Sequence, residues 1–280
     1  MKLASYSEGG KARFGMVTEA GIIDLSERWP SLKDALANAS VAEMQAAAQG
    51  GVARPVDGLT FEQTIPNPDK IICVGLNYKT HADEASVAAL PEKPSLFVRF
   101  PSSQVAHQQP VVCPKNVAQF DFEGELAVVI GRRARHVSAA DAMDYVGGYT
   151  CFAENSARDW QAHSRQITPG KNFWHSGAMG PWLVTADEIP DPRRLELTTR
   201  LNGEQMQHDS VSNLIFDIPY LISYISGFTA LEPGDVIATG TPSGVGVVRK
   251  PPILMKPGDR LEIEISGIGV LSNPLVAEEG

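Results

Sequence analysis

The sequence lacks several features that would narrow its class quickly. No apolar run approaches the roughly 20 residues that a membrane-spanning helix needs. The opening MKLASYSEGG has a lysine but no apolar stretch of the kind a secretory signal carries, so no signal is expected. Cysteine is scarce, at 3 of 280 residues. Cys73, Cys113 and Cys151 form no C-x-x-C pair, and an odd count argues against a disulfide framework. Each lies in an apolar stretch, so buried thiols in a reducing cytoplasm are the expectation. Long basic runs are missing too. A chain of net charge −9 is poorly suited to gripping phosphate backbones. The short cluster Arg132, Arg133 and Arg135 reads equally well as a solvated turn. Neither nucleic acid nor membrane is expected as a partner.

What is present is a chain with 43% hydrophobic residues, enough for one large core or a core plus a small lobe. LASYS, RFGMVT and GIIDL read as short strands separated by glycine-containing turns. Two alanine-rich stretches, SLKDALANA and VAEMQAAAQ, read as helices capped by Ser31 and, more weakly, Ser40. IPNPDK then punctuates the chain, which places a boundary between a small domain at 1–66 and a larger one at 67–280. Beyond it, IICVG, GELAVVIG, GYTCFAE, LELTTRLNG, DVIATG and DRLEIEISG are short, apolar or alternating, and bounded by turn residues. EPGD and KPGD are turns in which proline presets φ and glycine takes the corner. Ile218, Leu221, Ile222 and Ile225 recur at i, i+3, i+4 and i+7, one buried helical face. Strands do not alternate regularly with helices. The expected class is therefore α+β, mainly β, with a mixed β core and peripheral helices.

The stretch FDFEGELAVVIG sets Asp121, Glu123 and Glu125 at every second position, one face of a strand about to enter the core. Like charges so placed repel, and burying them unpaired is costly. Either this is the wet end of a strand or a cation holds the acids together. Carboxylates without histidine or cysteine suit a hard ion, Mg²⁺, Mn²⁺ or Ca²⁺, rather than zinc. Downstream, a strand ending near Glu154 leads into a helix that Asn155 or Ser156 can cap, with Arg158, Gln161 and Arg165 on one polar face. Upstream, in VGLNYKTHADEAS, a helical segment from Thr80 would set His81 and Glu84 one turn apart, a pair able to accept a proton near neutrality or to be no more than a solvated turn. ATGTPSGVG packs glycines around Thr239, Thr241 and Ser243; such backbone can aim successive N–H groups at an anion. It is not a P-loop, because no Lys-Ser/Thr pair follows. Lys171 in TPGKNF is ambiguous alone.

The ordered set GLNYxxHAxE, DFEGELAVVIGR, SARDWQ, GK-N-F, GPWLVT, PGDVIATGTPSGVG and KPGDxxEIEISGIGxLxN resembles the fumarylacetoacetate hydrolase superfamily over roughly residues 65–275. The resemblance implies a β-roll core, a small N-terminal α+β lobe and a homodimer. It implies Glu123, Glu125 and Glu154 as ligands of Mg²⁺ or Mn²⁺, with Ca²⁺ as an alternative. It implies His81 and Glu84 as a water-activating dyad on a lid helix, and Lys171 as a stabiliser of developing negative charge. Tyr78, Arg158, Gln161, Gly240 and Thr241 are implied as substrate contacts. The implied reaction is hydrolysis of a C–C bond in an acylpyruvate-like or other β-diketo acid, leaving an enolate on the metal. Decarboxylation of an oxaloacetate-type 2-oxo acid, or isomerisation or hydration through an enolate, is the alternative on the same scaffold. The sequence departs from the family pattern in places. Glu154 stands where aspartate is usual, Arg99-Phe100 replaces Lys-Pro, and Asn172-Phe173-Trp174-His175 follows Lys171. Trp174 and Phe100 suggest a bulkier or more apolar substrate.

Overall fold

The structure is a computed structural model and describes residues 1–56, 58–84 and 89–279. Its helices are α1 (Leu32–Asn38), α2 (Val41–Ala48), α3 (Lys79–Glu84), α4 (Arg158–Gln161), α5 (Thr168–Lys171) and α6 (Ile218–Phe228). They surround two principal sheets. In the larger, the N-terminal strands Gly21–Asp24, Lys11–Thr18 and Lys2–Glu8 lead across to Gly177–Thr185 and then to Val146–Ala153, Gly124–Ile130, Val236–Ala238, Ile71–Gly75 and Ser95–Arg99. Lys2 pairs with Val184 and Leu3 with Leu183, so the first strands continue the same sheet that carries the later ones. Most neighbours are antiparallel, whereas Val236–Ala238 runs parallel to Ile71–Gly75. The smaller sheet orders Glu204–Ser210, Glu196–Leu201, Arg260–Ile265, Gly269–Ala277 and Val111–Cys113.

The strand Gly124–Ile130 is buried along its whole length because both of its faces are covered. Leu126, Val128 and Ile130 belong to a core shared with Leu197, Ile263 and Leu271 of the smaller sheet. Ala127 and Val129, pointing the other way, pack with Leu32, Ala35 and Leu36 of α1. Two covered faces account for an unbroken apolar run where a one-faced strand would alternate. Arg260–Ile265 does alternate, with Leu261, Ile263 and Ile265 buried. On α6 the four spaced residues Ile218, Leu221, Ile222 and Ile225 are all buried, each contributing at most about 2 kcal/mol of transfer free energy. Gly234 and Gly258 sit at φ +87° and +95° in the two Pro-Gly-Asp turns, the left-handed corner for which glycine is suited.

Two local expectations change. Ser40 is not the weaker cap: it forms a full capping box with Glu43 on α2. The helix expected after Asn155 or Ser156 is only the single turn α4, and neither residue caps it. Asn155 instead donates to the Ser176 carbonyl at 2.9 Å, and the Ser156 hydroxyl to Glu123 at 3.0 Å. The helix ends before Arg165, which is exposed and shares no helical face with Arg158 and Gln161. The helix expected from Thr80 is seen as α3, which starts at Lys79 and sets His81 and Glu84 one turn apart.

Candidate active site

The strand Gly124–Ile130 and the end of its antiparallel neighbour Val146–Ala153 bring three glutamates together. Carboxylate oxygens of Glu123, Glu125 and Glu154 all lie within 4.8 Å of one another, and all three residues are buried. Asp121 is drawn away from this group. Its carboxylate accepts from the Gly246 N–H at 2.7 Å and from Arg158 Nε at 2.9 Å. The pattern of alternating acids therefore splits: two point into the site, and the third holds an arginine.

Cations enter between the acids. Lys171 bridges Glu123, at 3.0 Å, and Glu154. Arg158 reaches Glu123 Oε1 at 2.6 Å. Behind the site, Arg99 is only 2% exposed and donates to Glu154 Oε1 at 2.9 Å, to the Asn155 carbonyl at 3.0 Å and to Ser103 and Ser176. Asp121, Glu123 and Glu154 thus have guanidinium or ammonium partners. Among the described residues no cation pairs with Glu125, whose Oε2 accepts only the Gly240 N–H at 2.8 Å.

Burial works to raise the Glu123 carboxyl, but Lys171 and Arg158 outweigh it and hold the group below the usual range. Glu125 is pushed well up, first by burial and then by the neighbouring charges of Glu154 and Glu123. Burial raises Glu154 to about 7 against the pull of Lys171 and Arg99. One buried carboxylate without a countercharge, in a cluster of oxygen donors with no imidazole or thiolate, fits a hard divalent cation. Glu123, Glu125 and Glu154 are the residues that could hold it.

The glycine-rich loop does aim its amides at anions, but they are the protein's own. Gly240 N–H goes to Glu125 and Gly244 N–H to Glu84, both at 2.8 Å. Gly246 and Val247 both donate to Asp121. One loop therefore ties together the acid cluster, the α3 helix and the carboxylate that orients Arg158. On α3, His81 Nδ1 lies 3.0 Å from Glu84 Oε2, while the other Glu84 oxygen takes the Gly244 bond. With Nδ1 so engaged, Nε2 is the ring nitrogen left to the cleft.

The cleft holds about 360 Å³. His81, Lys171, Arg158, Gln161, Thr241 and the three glutamates all line it, beside an apolar wall that includes Val245 and Val247. Glu84 lies behind His81 rather than on the surface of the cleft. Tyr78 does not face it: a bridge to Leu214 and packing in the main core turn the ring inward, at 0% exposure. Gly240 is not a lining residue either, since its N–H is committed to Glu125. The Thr241 hydroxyl donates to the Gly124 carbonyl at 2.9 Å and accepts from Gln207 at 2.8 Å. Trp174 and Phe100 stay outside the cleft, at 59% and 51% exposure, with Trp174 stacked on His175, so they do not set the size of its occupant.

Sequence reasoning missed Gln207. Its side chain accepts from the Gly124 N–H at 3.0 Å and donates to Thr241 and the Pro242 carbonyl, joining the chain between two of the glutamates to the glycine loop. Nothing in the pattern EQMQHDS marks it.

This fold and this arrangement of acids define a class. Residues 70–276 match the model of the fumarylacetoacetate hydrolase C-terminal domain, and the chain belongs to that family. Among its relatives is the human mitochondrial oxaloacetate tautomerase, 41% identical over 266 residues that cover 91% of this chain and 84% of that one. Among solved structures, a maleylpyruvate hydrolase from Sphingobium sp. SYK-6, in complex with manganese(II) and pyruvate, superposes with a TM-score of 0.82 at 28% identity and full coverage of both chains. A 5-carboxymethyl-2-hydroxymuconate delta-isomerase from Mycobacterium smegmatis gives 0.82 at 31% identity, covering 99% of this chain and all of that one.

Proposed function

We propose that this chain interconverts the keto and enol forms of a 2-oxo acid of the oxaloacetate type, with Mg²⁺ or Mn²⁺ held by Glu123, Glu125 and Glu154. The observation that carries the reading is the convergence, on one cleft, of that carboxylate trio with the His81–Glu84 pair. The name of the human relative supports this substrate. A divalent ion in the trio supplies Lewis acidity toward the substrate carbonyl oxygen. In the enol-to-keto direction one proton leaves the enol oxygen for solvent and one arrives at the adjacent carbon. His81 is the group that delivers and removes the proton at carbon, with Glu84 holding the ring and balancing its charge. Lys171, which lines the cleft, is the cation available to stabilise negative charge that develops on oxygen. Arg158 has a buried Nη2 without a protein partner among the described residues, and that donor is available to a substrate carboxylate.

A second reading is hydrolysis of an acylpyruvate, in which water and substrate give a carboxylate and pyruvate. It is favoured by the fixed His81–Glu84 pair, which can deprotonate water as readily as carbon, and by the likeness to the maleylpyruvate hydrolase. The test follows decay of enol-oxaloacetate by ultraviolet absorbance, and the products from acetylpyruvate and oxaloacetate by NMR, with Mg²⁺, Mn²⁺ or a chelator. Metal-dependent acceleration of enol decay without CO₂ release supports tautomerisation. Acetate and pyruvate from acetylpyruvate, without that acceleration, support hydrolysis; CO₂ loss from oxaloacetate moves the reaction to decarboxylation. No metal-dependent effect on either compound overturns the reading.

A further inference from the structure

The helix α3 has six residues and buries only Ala82. So short a helix does not sustain itself in water, and its position must come from tertiary contacts. Thr80 and Glu84 stand four apart, on one flank of the helix. His81 is turned from Thr80 by about 100° around the axis and lines the cleft. Glu84 is fastened to Gly244 at 2.8 Å. The Thr80 hydroxyl donates to Asp209 Oδ2 at 2.7 Å and lies 3.4 Å from the Ser243 N–H.

Asp209 belongs to the strand Glu204–Ser210 of the smaller sheet and is 8% exposed. Its other oxygen accepts from Ser210 N–H at 2.8 Å and from Asn213 Nδ2 at 2.6 Å. The carboxylate is thus held rigidly from its own side and offers one oxygen to α3. Neither Thr80 nor Asp209 lines the cleft. Within α3, among the described residues, Thr80 and Glu84 are the side chains that bond to elements outside the helix, and only the Glu84 bond also belongs to the proton-transfer pair.

We infer that Thr80 and Asp209 are positioning residues: their hydrogen bond seats α3 against the smaller sheet and fixes His81 over the carboxylate trio. The inference rests on the reading of His81 as the proton-transfer group. Losing the bond leaves the start of α3 anchored through buried Asn77 and Tyr78, but its exposed body is then held only by the Glu84–Gly244 contact and Ala82, so His81 samples positions away from the reacting carbon. The cost falls on turnover. The ion ligands lie on other elements, and their affinity for the ion is unaffected.

The experiment compares the full-length wild type with Thr80→Val, which keeps the shape and removes the hydroxyl, and Thr80→Ser, which restores it. Each is measured for Mn²⁺ affinity by calorimetry, for kcat and KM, and for amide exchange across residues 79–84. Thr80→Val is expected to lower kcat about tenfold, the size of one charge-assisted hydrogen bond. It should speed exchange in α3 while leaving exchange in Gly124–Ile130 and Mn²⁺ affinity as they are. Thr80→Ser should recover most of the rate. If Thr80→Val does not fold, Thr80→Ala takes its place. Unchanged kcat and unchanged α3 exchange in the valine variant overturn the proposal. So does a fall in melting temperature alone, which is what a merely structural residue gives. A wild type that turns over no 2-oxo acid, with α3 exchange still responding to Thr80→Val, removes the proposed function and keeps the seating contact.

Discussion

Replacing Gly124 with alanine tests the architecture of the site most directly. Gly124 lies between Glu123 and Glu125, and its φ is not in the left-handed region, so the backbone itself accepts alanine. The obstacle is space. A methyl at Gly124 would overlap the Thr199 hydroxyl and meet carbons of Ile263 at 3.4 Å, an ordinary contact. Overpacking of one methyl into a closed core costs about 1–3 kcal/mol. The clash is with a single atom, and the Thr199 Oγ1 is buried without a protein partner among the described residues. Thr199→Ala therefore removes the obstacle while sacrificing no hydrogen bond, and alone it should cost about 1 kcal/mol for the buried γ-methyl it also deletes. In urea unfolding, Gly124→Ala should lose about 2 kcal/mol and the double variant should recover most of it, an interaction energy a double-mutant cycle reads directly. Calorimetric titration with Mn²⁺ should show weaker binding in Gly124→Ala, because the strain falls between two of the glutamates, and recovery in the double variant. A Gly124→Ala protein as stable as wild type, or a double variant no better than the single, refutes the reasoning.

Other consequences follow from the same charges and contacts. Glu125→Gln removes the one carboxylate of the trio that no cation pairs with, so Mn²⁺ affinity should fall at least tenfold while the apoprotein becomes no less stable in thermal melts, because like-charge repulsion is relieved. Glu125 and Glu154 both titrate above the usual carboxylate range, Glu154 at about 7. Lowering pH through 7 protonates Glu154, the ion must displace that proton, and the affinity should drop about tenfold per pH unit below 7; a flat affinity between pH 6 and 8 would exclude Glu154 as a ligand. Glu154→Asp withdraws the carboxylate from Arg99, leaving a buried guanidinium short of a partner, and should cost about 2–4 kcal/mol in urea unfolding along with most of the turnover. Away from the site, burial lowers His107 to about 4, and the neutral ring accepts from the Ser272 N–H at 3.1 Å. Unfolded, the ring binds its proton near 6.5, so stability is complete above that value and is lost as pH falls toward 4. The loss should be on the order of 2 kcal/mol after allowing for partial exposure, and His107→Gln should flatten it.

How much could be read in advance depended on whether a residue's role is local. The burial of Ile218, Leu221, Ile222 and Ile225 follows from helical period, and the alternation of Arg260–Ile265 follows from the two-residue period of a strand; both are set within a few residues of chain. Family membership was legible in the order of its motifs, and so was the grouping of Glu123 and Glu125 on one side. Other assignments ran against local appearance. Asn155 and Ser156 resemble helix caps, yet the one-turn helix starts after Ala157 and both side chains donate to tertiary partners. Tyr78 sits in the motif that carries His81 but is packed into the core.

By itself, then, the sequence determined most of the strands, the buried face of α6 and the family, because hydrophobic period and turn residues act over short stretches and the order of the motifs is carried along the chain. Only the tertiary structure decided which acid does what. Asp121, Glu123 and Glu125 have the same spacing and much the same chemistry. They diverge because Gly246 and Arg158 capture the first, Lys171 and Arg158 balance the second, and the third is left with an amide and no cation. Those partners arrive from up to 125 residues away in the chain. Folding brings them within 3 Å, where a buried charge is decided by its neighbours rather than by its place in the sequence.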